Sequence, residues 1–120
     1  EKEEQASAAS EEIRELWTSL QMSLASRDLS SALEVAEGLT ALRSREKQKS
    51  FCIFASGQVR RIFMGIQGLD PDMRDVSKAF SSRFCVNAAS SLDRAAMLIG
   101  RNVSAAMVFT DLVNRLFVSM

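Results

Sequence analysis

The sequence contains no histidine. That removes the commonest general base and the commonest metal ligand together. Its two cysteines, Cys52 and Cys85, lie far apart and in no metal-binding spacing. Cys52 falls in an apolar run, where a thiol behaves as a small hydrophobe, and both cysteines are expected to be structural thiols of a reducing compartment. The five glycines are scattered, so no glycine-rich phosphate loop ending in Lys and Ser or Thr is present. Seventeen serines occur, but none has a histidine to activate it. The carboxylates are dispersed or sit in helix first turns. No catalytic, cofactor-binding or metal-ligating residue is therefore assigned, and no cofactor is expected. No run is long and apolar enough to span a bilayer, and the polar N-terminus is not a signal peptide, so no membrane partner is expected either.

A net charge is also missing. Fifteen basic residues balance fifteen acidic ones, which argues against capture of nucleic acid by the domain as a whole. The balance is uneven along the chain. Residues 1–37 carry nine acids and three bases, whereas 43–61 carry six bases and one acid. A basic patch on a neutral body follows, and a solvated face is its ordinary explanation.

What is present is helical periodicity. Residues 1–9 read as a polar leader or linker remnant, and 10–120 as one helical domain. Ser10 offers an N-cap, after which Ile13, Leu16, Trp17, Leu20 and Leu24 share one helix face. Asp28 or Ser30 can cap a second helix carrying Leu29, Ala32, Leu33, Ala36 and Leu39, with Gly38 as a C-cap. Ser44 caps a third helix, over about 45–67. Its positions Phe51, Ala55, Val59, Ile62 and Ile66 share a face, while Ile53 and Met64 fall on another side. Apolar residues all round imply a central, buried helix.

Asp70, Pro71 and Asp72 form a strong start for helix four, with Met73, Val76, Phe80 and Phe84 on one face. Asn87 is placed as the cap of helix five, which ends at Gly100. Ser104 caps helix six, whose stripe is Ala105, Phe109, Leu112, Val113, Leu116 and Phe117. No strand alternation or fixed-period repeat is visible. The fold class is all-α, a compact bundle of five to six helices with short loops. Trp17 and Phe51 are expected in the core.

Three cations, Arg45, Lys47 and Lys49, open the third helix, where the helix dipole prefers anions. Gln48 lies at the edge of the apolar face, where its amide needs a buried partner. Acids of the first two helices are the nearest source of compensation.

The stretch Leu42–Phe51, "LRSREKQKSF", resembles a segment of the C-terminal domain of the delta-prime subunit of bacterial DNA polymerase III. Arg45, Glu46, Lys47, Gln48, Lys49 and Phe51 carry it. Relatives tend to have Gly where Ser44 stands. "RNVSAAMVFTDL" (101–112) is similar to a second segment of that family, through Asn102, Val103, Ala105, Met107, Val108, Phe109, Asp111 and Leu112. The resemblance covers about residues 13–120.

It implies a collar domain of the clamp loader, the ATP-driven assembly that places the sliding clamp on primed DNA during replication. Such a domain is a non-catalytic oligomerisation module in the bacterial cytoplasm. ATPase and DNA-directed DNA polymerase activity belong to the parent complex. The implied partners are the collar domains of the delta and gamma/tau subunits, without tight DNA binding by this part. Surplus apolar surface is expected on helix six, with Met97, Leu98, Phe117 and Val118 as candidate interface residues. The alternative is a standalone helical-bundle adaptor or regulator that binds an acidic partner through the basic patch.

Overall fold

A computed structural model describes the backbone of residues 2–120 and the side chains from residue 11 onward. Six α-helices follow one another: α1 (Lys2–Ser26), α2 (Leu29–Ala41), α3 (Arg45–Ile66), α4 (Arg74–Ser77), α5 (Ser82–Gly100) and α6 (Ala105–Ser119). A 3-10 turn at Pro71–Met73 leads into α4. The described residues contain no strand, and the all-α bundle is the fold.

Local chemistry sets most starts. Asp28 accepts the Ser31 N–H at 3.1 Å and the Ser31 hydroxyl at 2.7 Å, and so caps α2. Those bonds, the hydroxyl first, hold its carboxyl below the ordinary value. Ser44 accepts the Lys47 N–H at 3.2 Å, and Ser104 that of Met107 at 3.5 Å. Asp70 accepts the Asp72 N–H ahead of Pro71.

Several expectations are corrected. The helix α1 is already under way at Ser10, because Lys2–Ala9 is rich in the helix formers Lys, Glu, Gln and Ala and holds no Gly or Pro. The side chain of Ser10 lies outside the described residues. Helix four is a single turn, and the chain leaves it over 78–81. Ser81, not Asn87, caps α5 by accepting the Phe84 N–H at 3.0 Å. Phe80 and Phe84 therefore belong to different segments, and their rings stack across the junction at 5.0 Å. Gly38 does not end α2. It lies inside the helix, where a Cβ would stand 3.2 Å from the Leu16 side chain of α1. The left-handed residue after α1, α2 and α5 is Arg27, Arg43 and Asn102 in turn, and after α3 it is Gly68 at φ 77°.

The five long helices close a ring. α1 packs on α2, α2 on α6, α6 on α5, α5 on α3, and α3 back on α1. The interior holds Leu20, Leu24, Leu39, Phe51, Ile62, Leu92, Phe109 and Leu116, each almost without solvent contact. The ring of Phe51 meets that of Phe109 edge to face at 6.4 Å, joining α3 to α6. Trp17 is buried as expected, although its Nε1 has no hydrogen-bond partner among the described residues.

The expected central helix over 45–67 is present as α3, but it is a wall of the ring and not buried all round. Phe51, Cys52, Ala55, Val59 and Ile62 face inward, while Ile53 and Met64 are exposed. Helix α6 is the reverse case. Its stripe through Phe109, Leu112, Val113 and Leu116 is buried internally, against α2 and α5, while Met107 and Val118 on the same helix stay exposed.

Candidate interaction surface

The cations at the start of α3 face helix ends. Arg45 donates from one guanidinium nitrogen to the carbonyls of Ile99, at 3.1 Å, and Val103, at 2.9 Å. These oxygens lie at the C-terminal end of α5 and in the turn after it, where carbonyls lack helical partners and the dipole is negative. A cation misplaced for its own helix is thus well placed for another. Lys49 approaches the same end: its ammonium would stand 3.9 Å from a Cβ at Gly100. Lys47 pairs with Glu12 of α1 at 3.5 Å. Gln48 is buried and donates to the Leu39 carbonyl near the end of α2 at 3.0 Å. One turn of α3 therefore ties down α1, α2 and α5. Glu46 is exposed in the first turn of α3.

The second family-like segment sits against the first. Asn102, at φ 64°, supplies the left-handed residue that ends α5, and the Val103 N–H closes on the Leu98 carbonyl. Val108 and Phe109 are buried, Ala105 packs partly against the core, and Met107 is exposed. Asp111 accepts from Arg115 at 2.7 Å and from Arg94 of α5 at 3.1 Å. The Arg115 bond is the chief reason its carboxyl is held below the ordinary value.

Of the candidate interface residues, Val118 is 88% exposed and Met97 45%, whereas Leu98 and Phe117 pack partly onto the core. An apolar surface also lies between α3 and α5. There Val59, Phe63, Met64, Cys85, Val86 and Ala89 line an open groove of about 350 Å³. The sequence carried one signal of it, the apolar Ile53 and Met64 on a side of α3 away from its core face.

The nucleophile inventory is quiet. Cys52 and Cys85 are free and buried. Burial pushes their thiols up to about 12 and about 11, so both stay protonated at neutral pH. Among the described residues no group of three or more His, Cys, Asp or Glu side chains is gathered as a metal site. No described helix is long and apolar enough to cross a membrane.

No family model, curated protein or solved structure matches this chain.

Proposed function

We propose that this domain is a non-catalytic oligomerisation module of the clamp-loader collar type, similar to the C-terminal domain of the delta-prime subunit. It packs with the collar domains of the delta and gamma/tau subunits in the cytoplasm of a bacterium. The observation that carries this reading is the bond from Arg45 to the Val103 carbonyl. The two segments that resemble the family are far apart in sequence, yet they grip one another at a single helix junction. That junction explains physically why both segments occur in one chain. Buried, protonated thiols also favour a scaffold over a nucleophile.

The adaptor alternative relied on a free basic patch. Arg45 and Lys47 are engaged within the domain, which weakens that reading, while Arg43 and Lys49 stay exposed. The same engagement favours weak, steeply salt-dependent DNA binding by the isolated domain, measurable by fluorescence anisotropy on a primed template.

The test is to mix this domain with delta and gamma/tau collar domains from the same source and measure mass by size exclusion with light scattering. A mixed complex lost on Val118→Asp, with the helical circular dichroism intact, supports the reading. No mixed complex at tens of micromolar counts against it.

A further inference from the structure

The outer face of the α3–α5 pair has the make-up of an interface. These helices run antiparallel, since Arg45 meets the end of α5 while the groove joins Val59 and Phe63 to Cys85 and Val86. On α3 the exposed positions Ser50, Ile53, Gly57, Arg60 and Met64 alternate in steps of three and four. On α5, Val86, Ser90, Asp93, Met97 and Gly100 do the same. Steps of three and four are the spacing of a helix-packing seam. Here the seam faces outward. Ile53 is 60% exposed and Val86 62%. Gly57 has nothing within 4 Å of a Cβ position and leaves a hole between the larger side chains.

The charges on these stripes decide the occupant. Arg60 and Asp93 are the only two, and they sit 3.6 Å apart near the middle. Their side chains remain 69% and 59% exposed, so each has hydrogen-bonding capacity left for something above it. A surface with one cation and one anion at its centre is complementary to a copy of itself turned by half a revolution. A partner of either net charge would leave one of the two unmatched.

We infer that the α3–α5 outer face docks a second copy of this chain, in a two-fold dimer whose two helical hairpins form a four-helix layer. Each Arg60 then lies over the Asp93 of the other copy. The cations Lys49, Arg83 and Arg101 stand at the ends of the stripes, and crossing the hairpins at about 50° keeps them apart. The stripes run about 21 Å, which places the contact at the small end of specific interfaces and the dimer in the weak range. This contact is independent of the collar reading and uses the chain alone.

The test combines concentration-dependent light scattering with charge exchange. The wild-type mass should rise from 13.2 kDa toward twice that value between tens and hundreds of micromolar. Arg60→Asp puts two acids on the face, and Asp93→Arg two arginines. Each variant alone should stay monomeric, with unchanged circular dichroism. An equimolar mixture should form a heterodimer tighter than the wild-type dimer, which misfolded variants would not do. Ile53→Asp should abolish the dimer. A constant wild-type mass into the millimolar range overturns the inference and returns the groove to a helix of another protein. A mixture that stays monomeric, or a dimer indifferent to all three variants, also overturns it. A homodimer without any mixed collar complex defeats the collar reading and leaves this one standing; the reverse result defeats only this one.

Discussion

Two stretches of α3, one turn apart, show opposite treatment of conspicuous residues. In the first turns, Arg45, Lys47 and Gln48 look out of place on their own helix, and each is matched by another: carbonyls of the α5 end, Glu12 of α1, the Leu39 carbonyl of α2. Further along, Ile53, Gly57 and Met64 look equally out of place on a solvent face; Ile53 and Met64 stay exposed, and among the described residues nothing fills the space beside Gly57. The ring topology explains the difference. The start of α3 lies where several helix ends converge, so polar oddities find partners. Its middle is a wall with only one inner side, so apolar oddities on the other side do not. An odd residue at a junction reports on the fold, and one on a wall reports on what lies outside it.

The sharpest way to break this comparison is at the inner face. Phe51→Ala removes a fully buried ring in edge contact with Phe109 and should cost about 3–5 kcal/mol by chemical denaturation. An unchanged denaturation midpoint would put Phe51 outside the core.

The glycines of α3 come next, and they should differ in sign. A Cβ at Gly65 would stand 2.8 Å from the Met73 Cβ and 2.9 Å from the Met73 carbonyl oxygen. Backbone cannot step aside cheaply, so Gly65→Ala should destabilise by about 1–3 kcal/mol. Gly57→Ala meets open space and should raise stability by about 0.5–1 kcal/mol, measured at a concentration where the chain is monomeric. Equal effects at the two sites would erase the distinction between buried and open walls.

Arg45→Ala should cost about 1–2 kcal/mol, since it removes the charged donor from the Ile99 carbonyl at the end of α5 and from the Val103 carbonyl in the turn after it. Hydrogen exchange should quicken in the last turn of α5 before it quickens elsewhere. Arg45→Lys should recover only part of the loss, because an ammonium does not reproduce the planar fork.

The smallest effect is expected at Asp111, an exposed group between Arg115 and Arg94. Its folded carboxyl is held below the ordinary value of 3.8. A lowered folded value means its contribution is complete above the unfolded value and is lost as pH falls through the folded one. The melting temperatures of wild type and Asp111→Asn should therefore differ slightly at neutral pH and converge in acid below pH 3.8.

Much of the fold was legible along the chain. Ser44, Asp70 and Ser104 are legible as caps because an N-cap acts over three residues, and of the pair Asp28 or Ser30 the structure uses Asp28. The C-terminal ends were less legible. Glycine is the usual sign of a left-handed residue and Gly68 plays that part after α3, but Arg27, Arg43 and Asn102 play it after α1, α2 and α5, and two arginines carry no such sign. The boundary at Ser81 was missed because Phe80 and Phe84 are spaced like neighbours on one helix. Their stacking across a break satisfies the same spacing.

The candidate site divides in the same way. The sequence by itself determined that the chain is helical, which residues face inward, and that the start of α3 carries unbalanced cations. These depend on spacing within a few turns, and local backbone geometry settles them. Tertiary structure alone decided that Arg45 reaches Val103, that the Phe109–Leu116 stripe of α6 is buried against α2 and α5, and that α3 keeps an open apolar side. Each depends on which helix closes the ring beside which, a choice made by packing between residues tens of positions apart.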